Sequence, residues 1–233
     1  LRAGIGRAPA LAESGNRPGD IDAEGAPGQR YELRAGTGRH AADRDAVGHW
    51  RNRLHGAKAA WIATRADGRE INRVAVGGDS AGGNLAAVVC LKAKAAGSPR
   101  LVHQLLIYPG TDMSCSFASH ETFGQGYRLT NELIDWFYAL YFEADSDIDH
   151  WQASPLNADD LSGLPPALVL SAGFDPLQDE DKAYADKLAQ AGVQVKYSHY
   201  ETMLHGFIAM PGALDQAKAA LSECAAELRN VFA

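Results

Sequence analysis

From Trp61 to the C-terminus, apolar and polar positions fall into regular blocks; before Trp61 they follow no period. Apolar runs at Arg73–Val76, Val102–Tyr108, Ala167–Ala172 and Val193–Tyr200 predict four strands, punctuated by Gly and Pro. Between and after them, helical patterns cover Leu85–Ala96, Asn131–Phe142 behind a Thr130 cap, Asp179–Ala191 closed by Gly192, and Ala213–Val231. Trp61–Ala66 reads as the end of a further helix, stopped by Gly68, and a long excursion separates Thr111 from Pro166. Strands that alternate with helices of this length predict βαβ units and a mostly parallel central sheet flanked by helices.

Residues 1–60 change that picture. Ala, Gly and Arg fill about 32 of these positions, while Val, Ile, Leu, Phe, Tyr and Trp supply about nine, too few to build strands. Neither period 2 nor period 3.6 appears, and composition predicts a poorly packed or flexible stretch with one helix near Asp45–Ala60. This stretch carries about +3 and the remainder about −10. Two units follow: an atypical Arg/Gly/Ala-rich segment, 1–60, and a catalytic domain, 61–233. With strand signals starting only at Arg73, one flank of the Val74–Val76 strand is expected to lack a partner, and an open apolar edge invites aggregation.

Charge and cysteine content narrow the function classes. A net charge of −7 offers no basic footprint for nucleic acid. No apolar run reaches the ~20 residues of a membrane span, and no apolar signal segment opens the chain. Cys90, Cys115 and Cys224 are too scattered for a disulfide framework or a zinc pattern, which points to the cytoplasm. The eight histidines show no metal-ligand spacing, so neither metal nor cofactor is expected.

The chemistry begins at Gly78-Asp79-Ser80-Ala81-Gly82, set between a strand signal and a helix signal. It fits Gly-x-Ser-x-Gly, the nucleophile elbow of α/β-hydrolases, where a serine sits in a strained turn and the flanking glycines avoid collision. A serine nucleophile needs a base to take its proton and a carboxylate to orient that base. Asp175, after the third strand, and His205, after the fourth, follow Ser80 in that order. Asp179 and Glu180 compete for the acid role but fall inside the next helix, where they cap it or support the site. His199 alternates along a strand and reads as a sheet-face histidine. His103, His120 and His150 are assigned no chemistry, and the aromatic group Trp136, Phe137, Tyr138, Tyr141 and Phe142 reads as core.

Together these residues resemble the hormone-sensitive-lipase-like esterases of the α/β-hydrolase fold, the bacterial family IV carboxylesterases. The resemblance rests on Gly78-Asp79-Ser80-Ala81-Gly82-Gly83-Asn84, Ser154-Pro155-Leu156 before Leu164-Pro165-Pro166-Ala167, Asp175-Pro176-Leu177-Gln178-Asp179-Glu180, and His205-Gly206-Phe207. It implies a serine carboxylesterase acting on short acyl or aryl esters, with Ser80 as nucleophile, His205 as base and acid, and Asp175 as orienting carboxylate. Ala81, Gly82 and Asp79 would serve the oxyanion and substrate. The implied partner is a small-molecule ester, with no nucleic acid and no membrane span; a homodimer stays open.

The resemblance stops upstream. The family carries a His-Gly-Gly-Gly loop roughly 70 residues before the nucleophile that supplies most of the oxyanion hole, and this chain has neither that motif nor the early strands. A shifted reading frame or foreign sequence over residues 1–60 would produce such a composition. A chain lacking the loop could be a weak enzyme, since one lost donor costs ~10²–10³ in rate. Two alternatives follow: a catalytically impaired, receptor-like binder of small ligands, or an amidase or peptidase on the same three residues.

Overall fold

The computed structural model describes residues 32–35, 61–66, 71–142 and 148–233. Among these residues six strands form one sheet: β1 (Glu32–Ala35), β2 (Trp61–Ala66), β3 (Ile71–Asp79), β4 (Leu101–Ile107), β5 (Ala167–Phe174) and β6 (Val195–Leu204), lying side by side in chain order. The β1–β2 and β2–β3 pairs are antiparallel, and β3, β4, β5 and β6 run parallel. Among the described residues five α-helices accompany them: α1 (Ala81–Ala96), α2 (Ala118–Phe123), α3 (Asn131–Tyr141), α4 (Gln178–Gln190) and α5 (Asp215–Phe232).

The inner strands β4 and β5 are buried on both faces, as a parallel sheet with helices on each side requires, while β6 is half-exposed. On one face Val76, Leu106 and Val169 pack against Ala86, Ala87, Cys90 and Leu91 of α1 and Tyr184 and Leu188 of α4. On the other, Leu105, Ile107, Leu168 and Leu170 meet Ala217, Ala220 and Cys224 of α5, together with Phe207. Each fully buried Leu or Ile contributes roughly 1.5–3 kcal/mol. The C-terminal ends of β3, β5 and β6 therefore sit on a rigid base.

Several expectations change. Trp61–Ala66 is a strand rather than a helix end, because Trp, Ile and Thr favour a pleated ribbon and β3 provides an antiparallel partner from Trp61↔Gly77 onward. Four residues of the composition-poor segment, Glu32–Ala35, form β1 against β2, so too few apolar residues did not preclude a strand there. β3 is accordingly paired on both sides, and the expected open flank is closed by β2. The helix expected over Asp45–Ala60 lies outside the described residues. β6 extends to Leu204, which brings His205 directly to a strand end.

Helix α3 has its expected cap, with Thr130 Oγ1 accepting the Leu133 N–H at 3.2 Å. Its aromatic face is not core throughout. Ile134 and Tyr141 are buried, but Trp136 and Phe137 are 57% and 46% exposed and, with Leu133 and Leu140, form an exposed i, i+3, i+4, i+7 stripe. Among the described residues no helix is long and apolar enough to cross a membrane.

Within β4, His103 is fully enclosed with neither ring nitrogen hydrogen-bonded among the described residues. Burial pushes its pKa down to about 4. The folded state thus holds the neutral ring while the unfolded chain protonates at about 6.5. That stability is fully present above pH 6.5 and is lost as pH falls towards 4, a difference of roughly 3 kcal/mol. Urea melts of His103→Leu at pH 7 and pH 4.5 are expected to show a smaller acid loss than the parent; equal acid losses would remove this account of His103.

Candidate active site

β3 ends at Asp79 and α1 begins at Ala81, so Ser80 alone turns the chain. Its backbone is held at φ 55° and ψ −121°, a region rarely occupied by residues with a Cβ. The Ser80 N–H donates to the Ile107 carbonyl at 2.9 Å, and the Asn84 N–H reaches the Ser80 carbonyl at 3.1 Å. Gly78 makes the turn sterically feasible: a Cβ there would lie 2.3 Å from the Gly82 carbonyl oxygen. Ala81 and Gly82 open α1, so their N–H groups have no intrahelical acceptor and point out of the positive end of the helix.

Asp175 follows β5 and is fully buried. One carboxylate oxygen, Oδ1, accepts the Leu177 N–H at 2.9 Å. The other, Oδ2, lies 2.7 Å from His205 Nδ1, and His205 Nε2 lies 2.9 Å from Ser80 Oγ. A carboxylate can only accept, so the proton sits on Nδ1 and Nε2 is left to accept from the serine hydroxyl. His205 is seated by Gly206, at φ 79°, and by the buried Phe207 that begins a single 3-10 turn, Phe207–Ala209.

The structure thus brings Ser80, His205 and Asp175 into one hydrogen-bonded line and leaves the competing residues outside it. Asp179 Oδ2 accepts the Ser119 N–H at 2.9 Å. Glu180 is buried against Thr111, Asp112 and His120. His199 Nδ1 meets Ser171 Oγ at 2.7 Å, across the β5–β6 pair. Asp79 stays half-buried at the end of β3, opposite Ile107.

Tyr108 escaped the sequence reading. It follows β4 with φ 35°, and its ring lies 4.7 Å from that of His205, flooring the imidazole. Burial keeps its phenol protonated, with Asp79 and Asp175 reinforcing the effect. Burial likewise holds the Asp181 carboxyl well above its usual range, aided by Asp175 and Glu180. The only sequence signal for Tyr108 was its place before Pro109-Gly110 at a strand end. Among the described residues no group of His, Cys, Asp and Glu is arranged to hold a metal.

Comparison with known proteins fits this geometry. Residues 53–209 match a family model described as the alpha/beta hydrolase fold. The chain is 50% identical over 142 residues to the carboxylic ester hydrolase LipN of Mycobacterium tuberculosis, covering 58% of this chain and 38% of LipN. It is 36% identical over 181 residues to an ethyl acetate hydrolase of Pseudomonas putida, covering 76% of this chain and 54% of the relative. Among solved structures, a thermostable esterase from Pseudomonas putida ECU1011 superposes with a TM-score of 0.66 at 44% identity, covering 68% of this chain and 51% of that one. A hyperthermophilic esterase from Pyrobaculum calidifontis gives 0.66 at 39% identity, over 68% and 52%. The chain spans about half the length, or less, of the curated relatives it matches. By the family match and these relatives, the chain belongs to the α/β-hydrolase fold family, in its hormone-sensitive-lipase-like branch.

Proposed function

We propose that this protein is a serine carboxylesterase that hydrolyses short acyl or aryl esters through an acyl-enzyme, with residues 61–233 as its catalytic domain. The observation that carries this reading is the line from Ser80 Oγ through His205 to Asp175, with spacings of 2.9 and 2.7 Å. Ser80 Oγ attacks the ester carbonyl carbon while His205 Nε2 takes its proton. Asp175 accepts the hydrogen bond from Nδ1 and stabilises the imidazolium. The same proton passes to the departing alkoxide oxygen as the carbon–oxygen bond breaks, leaving the acyl group on Ser80. Water then attacks that acyl carbon, His205 takes the water proton, and the proton returns to Ser80 as the acid leaves.

The negative oxygen of each tetrahedral intermediate is met by the Ala81 N–H, with Gly82 next to it at the helix start. Asp79 is assigned to the substrate side of the turn. Similarity to an ethyl acetate hydrolase and to a carboxylic ester hydrolase supports esters as the substrate class. Cys90, Cys115 and Cys224 are all free thiols, which suits the cytoplasm as the site of action.

A panel of p-nitrophenyl esters from two to twelve acyl carbons, run beside Ser80→Ala, tests the reading. Hydrolysis that declines with chain length and vanishes in Ser80→Ala is expected. Activity retained by Ser80→Ala, or no hydrolysis of any ester by the parent, overturns it.

A further inference from the structure

A loop that contributes none of the three residues touches the elements that hold two of them. Residues 109–112 leave β4 between the start of α1 and the start of α4. On one side Asn84, in the first turn of α1, donates from Nδ2 to the Gly110 carbonyl at 2.7 Å and to the Ala153 carbonyl at 2.7 Å. On the other side Glu180, in the first turn of α4, receives the Thr111 and Asp112 N–H groups on Oε1 at 2.6 and 3.2 Å. The Glu180 backbone carbonyl accepts from Thr111 Oγ1 at 3.1 Å.

The second carboxylate oxygen, Oε2, faces His120 Nε2 at 3.1 Å, and both side chains are buried. Helix α2, which carries His120, also grips the acid loop through Ser119. The Ser119 N–H donates to Asp179 Oδ2 at 2.9 Å and its Oγ donates to the carbonyl of Pro176, the residue after Asp175, at 2.5 Å. A carboxylate in the first turn of a helix ordinarily caps that helix's own N–H groups. Glu180 instead crosses to another element, so its hydrogen bonds align elements rather than stabilise α4. Burial lowers the basicity of His120, but Cys115 and Glu180 outweigh it and raise its pKa to about 10, while burial raises the Glu180 carboxyl to about 7 against the opposing pull of His120 and the Thr111 and Asp112 N–H groups.

We propose that Glu180 and His120 are positioning residues that, through residues 109–112 and Asn84, hold the Asp175 loop in register with the Ser80 helix. This rests on the proposal that Ser80, His205 and Asp175 act together. The register matters because a misplacement of about 1 Å can cost ~10² in rate. Neither residue touches the reacting atoms; each acts through Asp175.

The test uses the full chain and Glu180→Gln, which keeps a carbonyl oxygen for Thr111 and Asp112 but replaces the Oε2 that faces His120 with an amide nitrogen. With p-nitrophenyl acetate, and with kcat counted per Ser80 titrated by an organophosphonate, kcat is expected to fall about 10- to 100-fold with KM held within about twofold. In an Asp175→Asn background the same change should cost less than about twofold, because the residue it works through is already gone. His120→Gln, which can still donate to Glu180, should retain more kcat than His120→Ala. Hydrogen exchange at the Leu177 N–H, which is bonded to Asp175, should quicken in Glu180→Gln. Loss of melting temperature with unchanged kcat per titrated site, or full additivity with Asp175→Asn, overturns the proposal. If the parent hydrolyses no ester while Leu177 exchange still quickens, the esterase reading fails and the positioning role stands. If the parent is active and Leu177 exchange does not change, the positioning role fails and the esterase reading stands.

Discussion

Ser80→Ala is expected to lower kcat for ester hydrolysis by roughly 10⁴–10⁶-fold while leaving the melting temperature nearly unchanged. The size follows from the geometry: Ser80 Oγ is the atom His205 Nε2 addresses at 2.9 Å, and an alanine leaves that nitrogen with nothing to activate. His205→Ala should fall in the same range. The Ser80→Ala/His205→Ala double variant should be little worse than the worse single, since residues acting as a unit are not additive. Asp175→Asn is expected to cost several orders of magnitude, because an amide can donate towards His205 and favour the wrong tautomer. Asp179→Asn serves as the control: its carboxylate holds the Ser119 N–H and not the imidazole, so most activity should remain. Steady-state rates on one activated ester, with circular dichroism melts of each variant, check all of these. An inactive Asp179→Asn beside an active Asp175→Asn would reassign the acid.

The second large effect is structural. Gly78→Ala should destabilise the protein by about 3 kcal/mol or more, at the upper end of what overpacking costs. The new Cβ would sit 2.3 Å from the Gly82 oxygen and 2.4 Å from its carbon, and both are backbone atoms at the start of α1 that cannot rotate away. Relief requires α1 to lift from β3, which moves Ser80 with it, so activity per folded molecule should drop as well. Gly97→Ala provides the contrast. Gly97 caps α1 at φ 68° with open space around its Cα, so the substitution should cost only about 1 kcal/mol and spare activity. Urea melts of the two variants measure the difference; equal costs would mean that the close approach at Gly78 does not matter.

What the sequence revealed and what it hid follow from different physics. The elbow, β4, β5 and the helices α1, α4 and α5 were legible because each buries a continuous apolar run or a helical face against a fixed partner, which leaves a local signature. The convergence of Ser80, Asp175 and His205 was legible because a strand-end position and chain order constrain them. β2 was misread because Trp61–Ala66 follows the alanine-rich Ala57–Ala60, and only pairing with β3 decides for a strand. β1 is four residues, Glu-Leu-Arg-Ala, with little strand preference of its own. Helix α2 is six residues inside a long excursion, too short to show a period. Tyr108, Asn84 and Glu180 work through contacts to residues distant in the chain, and no spacing rule announces a buried carboxylate that reaches sideways.

The strand order has a consequence for how the molecule is made. Because each described strand lies beside its immediate predecessor, none of these six must wedge between two already joined. The sheet can lengthen at one advancing edge as the chain leaves the ribosome, with each new strand finding an exposed template. The growth is uneven, however: Ile107 to Ala167 is the longest gap between successive strands from β3 onward, and closing it carries the largest loop entropy of that series. Until β5 docks, β4 remains an uncovered, strongly apolar margin, which marks that interval as the one in which a nascent chain is most exposed to misassociation. Ser80 is synthesised before its two partners, which follow β5 and β6, so the three meet only once both of those strands have docked.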